Sequence, residues 1–152
     1  MNLFQLGDFT LRSGAKSRWK IECDALTPAD WEGLAAMAVE ILPPFSGVSG
    51  VPRGGIPFAD ALSRYIISAS PHPVLIAEDV CTTGGSMERW KKTLEEELVP
   101  KRYQVRYIGV AVFARNPTWP KWVTPLFCFN PNPVIASAAA LIPAPIPNST
   151  LR

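Results

Sequence analysis

Apolar positions recur along the middle of the chain with two different periods. Trp31, Leu34, Ala35, Ala38, Ile41 and Leu42 fall at helical spacing after Thr27-Pro28-Ala29-Asp30, and Pro43-Pro44 closes the run. Thr27 is placed to cap this helix. Pro28 takes the first helical position, where a missing N–H costs nothing, and Asp30 faces the positive end of the helix dipole. Met87, Trp90, Leu94 and Leu98 mark one face of another helix over residues 86–99, with Glu88 and Lys92 spaced to pair and Pro100 as its stop. A shorter helix opens at Pro57 and runs to about residue 67. Between the helices lie short apolar runs at residues 45–51, 74–80, 104–113 and 123–129. The run 74–80 is apolar on both faces until two acids close it, which suits a buried parallel strand. Strand–helix–strand alternation predicts an α/β fold with a central, mainly parallel sheet flanked by helices.

Composition narrows the class. A chain of 152 residues has the size of one domain, and 47% apolar content supplies a core. No apolar stretch approaches the roughly 20 residues of a membrane helix. The N-terminal segment MNLFQLGDFTLR lacks a basic region followed by an apolar run, so no signal peptide is expected and the cytoplasm is the expected location. Cys23, Cys81 and Cys128 are odd in number, widely spaced and without a CxxC pair, which supports neither a disulfide framework nor a zinc cluster. A net charge of +2 is too small to argue by itself for nucleic acid as a partner, and with no membrane-length apolar stretch no membrane partner is expected either. Proline is the outlier: 16 residues are about twice the usual share. Pro131, Pro133, Pro143, Pro145 and Pro147 surround the run IASAAALI, so residues 131–152 read as an extended tail with polyproline character near PAPIP, following a domain over residues 1–130.

The chemistry concentrates where the apolar run ends. Glu78-Asp79 are followed by Val80-Cys81 and then Thr82-Thr83-Gly84-Gly85-Ser86 at the start of a helix. Gly84 and Gly85 allow close backbone approach, the helix start offers unpaired N–H groups, and the three hydroxyls add donors, which together suit a phosphate monoester. The two carboxylates, one strand-end away, suit sugar hydroxyls. Taken alone TTGGS also fits an ordinary bend; the adjacent acid pair favours the ligand reading. Upstream, Gly50-Val51-Pro52-Arg53-Gly54-Gly55 lies between a strand and a helix, where backbone amides and a guanidinium suit a diphosphate, although Pro-Arg-Gly-Gly is equally an exposed turn.

Residues 74–87 resemble the phosphoribosyl-pyrophosphate (PRPP) signature of the type I phosphoribosyltransferases: an apolar strand, two acids, then TTGGS. The resemblance implies that Glu78 and Asp79 hold the ribose hydroxyls and that Thr82, Thr83, Gly84, Gly85 and Ser86 hold the 5′-phosphate. Val51, Pro52, Arg53 and Gly54 then form the diphosphate loop. Phe9-Thr10-Leu11-Arg12-Ser13-Gly14-Ala15-Lys16-Ser17 is similar to the N-terminal hood of orotate phosphoribosyltransferases, and Gly55-Ile56-Pro57 also matches that subfamily. This makes residues 1 to about 26 a hood and brings Lys16 to the diphosphate, with Lys16 and Asp79 as the catalytic pair. Arg115, after the strand GVAVFA, takes the place of the arginine that meets the carboxylate of the base, although Asn116-Pro117 departs from the family there. By composition alone, Lys16 and Arg115 are also ordinary solvated charges.

Further implications are Mg²⁺ as cofactor, met by Glu78 and Asp79 through ribose hydroxyls or water, a nitrogenous base with orotate first, and a homodimer. The family's long mobile loop, with its lysine and histidine, has no counterpart, since only 16 residues separate Phe58 from Pro73 inclusive. The expected activity is phosphoribosyl transfer, and the alternative is a regulatory or partner-binding module that binds PRPP or a nucleotide without turnover. A third reading is a structural protein assembled through its proline tail. His72, between two prolines, reads as structural rather than as a general base, and Cys81 as a small filler; Trp119 and Trp122, with Lys121 between them, suit base stacking but beside prolines read rather as packing for the tail.

Overall fold

The computed structural model describes residues 1–11, 14–68, 72–98, 105–115 and 118–129. The proline-rich tail, Gln104, Pro100 and Asn116-Pro117 lie outside the described residues. Four parallel strands form the central sheet in the order β3 (Gly47–Gly50), β4 (Val74–Cys81), β5 (Tyr107–Ala114) and β6 (Val123–Cys128). An antiparallel hairpin, β1 (Phe4–Thr10) and β2 (Lys16–Ile21), precedes it. The helices are α1 (Pro28–Ile41), α2 (Ile56–Leu62) and α3 (Gly85–Thr93). Among the described residues no helix is long and apolar enough to cross a membrane.

The inner strands β4 and β5 bury both faces. Leu75 and Ala77 of β4 pack with Phe58, Ala59 and Leu62 of α2 and with Trp31, Ala35 and Ala38 of α1. Ile76, on the opposite face, packs with Met87, Leu94 and Tyr107, flanked by Trp90, Trp119 and Trp122. The period of two along a strand thus sorts one apolar run into two cores.

Helix α1 starts as its sequence requires. The Thr27 hydroxyl accepts from the Asp30 N–H (3.3 Å), and Asp30 Oδ2 accepts from the Thr27 N–H (2.8 Å), a reciprocal capping box. Its buried stripe runs Trp31, Ala35, Ala38, with Leu42 next at 4-3-4 spacing. That register turns Ile41 outward, where it stands 56% exposed. Helix α2 is shorter than its sequence pattern implies: it tightens into a 3₁₀ turn at Ser63–Tyr65, with the Ser63 hydroxyl donating back to the Asp60 carbonyl (2.6 Å). Helix α3 likewise gives way to a π-type turn at Leu94–Leu98. Glu88 does not pair with Lys92; Trp122 Nε1 donates to Glu88 (2.7 Å), and Lys92 lies 3.6 Å from Glu96 instead.

Candidate functional site

The C-terminal ends of β3, β4 and β5 open into a cleft of about 1130 Å³, roofed by the hairpin. Ligands of open α/β sheets bind at such strand ends. Each strand delivers a different group. After β3, the Val51 N–H donates to the Ala77 carbonyl (2.8 Å) and Gly55 N–H returns to the Val51 carbonyl (2.9 Å), closing a tight loop. Pro52, Arg53 and Gly54 line the cleft, and the Pro52–Arg53 peptide is cis. Val51 does not line it. It is 5% exposed, packed into the second core, and its N–H is committed to β4.

Strand β4 carries the acid pair in its C-terminal half. Glu78 is buried and accepts from the Ser86 hydroxyl (2.5 Å), tying the strand end to the start of α3. Asp79 Oδ1 accepts from the Val80 N–H (2.8 Å). Its carboxylate lies so near the Gly54 backbone that a Cβ there would sit 2.5 Å from the Asp79 carboxyl carbon. Glycine at 54 therefore lets the loop after β3 close onto the acid pair.

Thr82, Thr83, Gly84, Gly85 and Ser86 all line the cleft. Gly84 caps α3 with φ +80°, a conformation glycine adopts without strain. Cys81, inside this segment, is 1% exposed and lies in the second core.

Arg115 lines the far wall. Its backbone N–H donates to the Cys81 carbonyl (2.9 Å), and Nη2 donates to the Ser17 hydroxyl (2.9 Å) and the Trp19 carbonyl (3.0 Å). The strand-end arginine is 9% exposed and bound to the hairpin, not a solvated charge. A guanidinium has five N–H donors, so capacity remains for a ligand. Lys16, by contrast, is outside the cleft wall; its Nζ donates to Thr10 Oγ1 (2.7 Å), and Thr10 is the hairpin residue that reaches the wall.

Several lining residues have no place in the motifs. Lys20 pairs with Glu22 (2.5 Å), Cys23 and Asp24 follow, and Arg89 rises from α3. Arg89 was legible in one respect: four residues after Gly85, its side chain leans back over that glycine, with Nη1 3.4 Å from where a Cβ at Gly85 would be. Cys23 is buried beside Asp79, and burial, the Asp79, Glu22 and Asp24 charges and a hydrogen bond to Asp79 push its thiol up to about 12. It is a neutral donor at physiological pH. His72 contributes a backbone carbonyl to the Ser46 hydroxyl (2.8 Å) and does not reach the cleft. Trp119 and Trp122 pack against the core around Met87.

No family model and no curated protein matches the chain. Solved structures do. The UMP synthase of Leishmania donovani superposes with a TM-score of 0.64 at 18% identity over 83% of this chain, which spans 33% of that longer chain. An orotate phosphoribosyltransferase from Aeropyrum pernix gives 0.61 at 19% identity, covering 83% of this chain and 88% of that one. The orotate phosphoribosyltransferase of Mycobacterium tuberculosis gives 0.59 at 17%, covering 82% and 89%. The chain has the type I phosphoribosyltransferase fold.

Proposed function

We propose that the protein binds PRPP with Mg²⁺ and transfers its phosphoribosyl group to a nitrogenous base, with orotate the first acceptor to test. The observation that carries this reading is the convergence of Arg53-Gly54, the Glu78-Asp79 pair, the glycine loop and Arg115 on one cleft. A volume near 1130 Å³ exceeds what a single drug-sized ligand needs and suits a sugar diphosphate beside a base.

In this reading a ring nitrogen of the base bonds to ribose C1 as the C1–oxygen bond breaks; the electron pair leaves with the diphosphate, and the proton of the ring nitrogen passes to solvent or to the departing diphosphate. Positive charge builds on the ribose ring, so the site must hold the sugar still and stabilise the leaving group. Glu78 and Asp79 accept from the ribose hydroxyls, and Thr82 to Ser86 donate to the 5′-phosphate. Arg53 and the Pro52–Gly54 backbone meet the diphosphate, and Arg115 meets an anionic group on the base. Arg89, over Gly85, adds a positive charge at the phosphate end, where two carboxylates would otherwise repel it. Lys16 reaches the diphosphate only if the hairpin closes further.

The oxygen donors of Glu78 and Asp79 fit Mg²⁺. Among the described residues no group of three or more His, Cys, Asp or Glu forms a cage. When bound, the ion neutralises charge on the leaving diphosphate.

PRPP–Mg²⁺ should raise the melting temperature, since ligand at about 100 times its Kd adds roughly 2.7 kcal/mol. Asp79→Asn, which keeps the side-chain shape, should abolish most of that shift. An equal shift in both proteins refutes the ribose assignment.

One observation favours a second reading, PRPP or nucleotide binding without turnover. The connection between α2 and β4 is pinned at both ends to the start of β3. Ile67 N–H donates to the Phe45 carbonyl (2.9 Å), and Ser46 N–H to the Pro73 carbonyl (2.9 Å). Only residues 68–71 separate Ile67 from His72, whose carbonyl also accepts from Ser46, too few for a covering loop.

A further inference from the structure

The segment Trp119-Pro120-Lys121-Trp122, between β5 and β6, touches the glycine loop from outside the cleft. Pro120 Cγ lies 2.5 Å from the position a Cβ on Gly84 would occupy, with its Cδ also against that position, so the proline ring is seated directly on the glycine that caps α3. Trp122 reaches the same helix by its side chain: the indole Nε1 donates to Glu88 (2.7 Å), and Lys91 Nζ lies 5.3 Å from the ring centre. The segment is anchored to the sheet as well. Gly109 N–H donates to the Trp122 carbonyl (2.8 Å), and Val123 N–H to the Pro120 carbonyl (2.9 Å). Gly109 makes this possible, because a Cβ there would meet Trp122 at 2.7 Å and Met87 at 2.9 Å.

These contacts form a closed bracket. The sheet holds Trp122, Trp122 holds the first turn of α3 through Glu88, and Pro120 sits on Gly84. A proline ring fixes its own φ and has few ways to move aside. A glycine loop left to itself visits many conformations, and ordering it on a ligand costs conformational entropy. Contacts that order it beforehand remove that cost from the binding step.

We propose that Pro120, Trp122 and Glu88 are positioning residues that hold Gly84 and the start of α3 in their anion-binding conformation before ligand arrives. This deepens the reading of residues 82–86 as a phosphate site and rests on it. None of the three touches the phosphate in this scheme; Pro120 and Trp122 are absent from the cleft wall, and Glu88 is also absent.

Two probes separate the bracket from a general effect on folding. Ribose 5-phosphate reports the glycine loop, and magnesium pyrophosphate reports the Arg53 loop at the other end of the cleft. By calorimetry, Pro120→Gly should weaken ribose 5-phosphate at least tenfold and leave pyrophosphate within twofold. Glu88→Leu should weaken ribose 5-phosphate at least fivefold, whereas Glu88→Gln, which keeps an oxygen acceptor for the indole, should bind as wild type does. If Pro120→Gly does not fold, the Glu88 pair decides. Wild-type protein that binds no ribose 5-phosphate overturns the phosphate-site reading and this inference with it. Wild-type binding matched by Pro120→Gly and Glu88→Leu overturns the bracket alone, and so does equal weakening of both probes.

Discussion

The guanidinium of Arg115 lies 3.9 Å from the centre of the Trp19 ring while its Nη2 donates to the carbonyl of the same tryptophan (3.0 Å). One side chain at the end of β5 thereby fastens the hairpin over the cleft. Edge contacts from Phe4 to Phe113 and Phe129 support it from the other strand, at 6.2 and 5.5 Å between ring centres. The residue proposed to meet the base is also the one that sets where the roof lies.

Arg115→Met should therefore loosen the hairpin without unfolding the sheet. Losing a cation–π contact and two hydrogen bonds from a buried guanidinium is worth about 2 kcal/mol, or roughly a thirtyfold rise in the open population. Limited trypsin cleavage after Arg18 and Lys20 should accelerate accordingly, with little change in global melting temperature. Unchanged cleavage rates would show that the aromatic contacts alone hold the roof.

Gly84 and Gly85 should respond differently to the same substitution. A side chain at Gly84 meets Pro120 and is strained by φ +80°; a cost of about 2 kcal/mol lowers the melting temperature of a domain this size by roughly 4–8 °C. A Cβ at Gly85 meets only Arg89 Nη1 at 3.4 Å and Thr83 Oγ1 at 3.7 Å, which are ordinary contacts, so Gly85→Ala should fold normally. Its methyl would stand between the two groups proposed to face the phosphate, and ribose 5-phosphate affinity should fall at least tenfold. Thermal melts paired with calorimetry check both halves. Full affinity in Gly85→Ala would mean that the loop is only a bend.

Much of this was legible in the residues. Capping signals and periodicity placed α1, the four parallel strands and the acid-pair loop because those features are local. Tertiary contacts decided the rest. The hairpin is written faintly: Trp19 and Ile21 alternate with polar residues in β2, but the register of β1 shifts between Leu6 and Phe9, which blurs its period. No local signal says that Val51 spends its N–H on Ala77, or that Lys16 turns to Thr10. Each depends on which strand lies alongside. The environment of Arg115 was not legible locally, since its partners Ser17 and Trp19 are 98 and 96 residues away.

The buried thiols make stability fall at alkaline pH. Cys23 is pushed up to about 12, by burial first and then the charge of Asp79; Cys81 is pushed up to about 11, by burial and then Glu78. An unfolded thiol releases its proton near 9. Between pH 9 and 12 the folded chain therefore binds more protons than the unfolded one, so their contribution is complete below pH 9 and is lost as pH rises. Urea midpoints for wild type and Cys23→Ala should show the advantage of wild type shrinking from pH 8 to pH 10.5. A constant offset would refute the assignment. At pH 8 exposed Cys128 should alkylate well before either buried thiol.

Turnover is where this chain should differ most from the enzymes it resembles. In the long-loop phosphoribosyltransferases, closure of the loop excludes water and brings a cation to the departing diphosphate. Here the anchored ends at Ile67 and His72 leave no length for such a loop. Removing one preorganised charge-stabilising contact typically costs about 10²–10³ in rate. PRPP should thus bind with ordinary affinity while orotate transfer is slow or undetectable, unless a second subunit or residues 131–152 cover the cleft. Steady-state assays with orotate and PRPP–Mg²⁺, on the full chain and on one ending at Asn130, test this together with sedimentation to establish the oligomer. Brisk turnover by a monomer of the shortened chain would sink the requirement for a lid. Brisk turnover of the full chain that is lost on shortening would identify residues 131–152 as the lid, and turnover that rises with dimer concentration would assign it to the partner subunit.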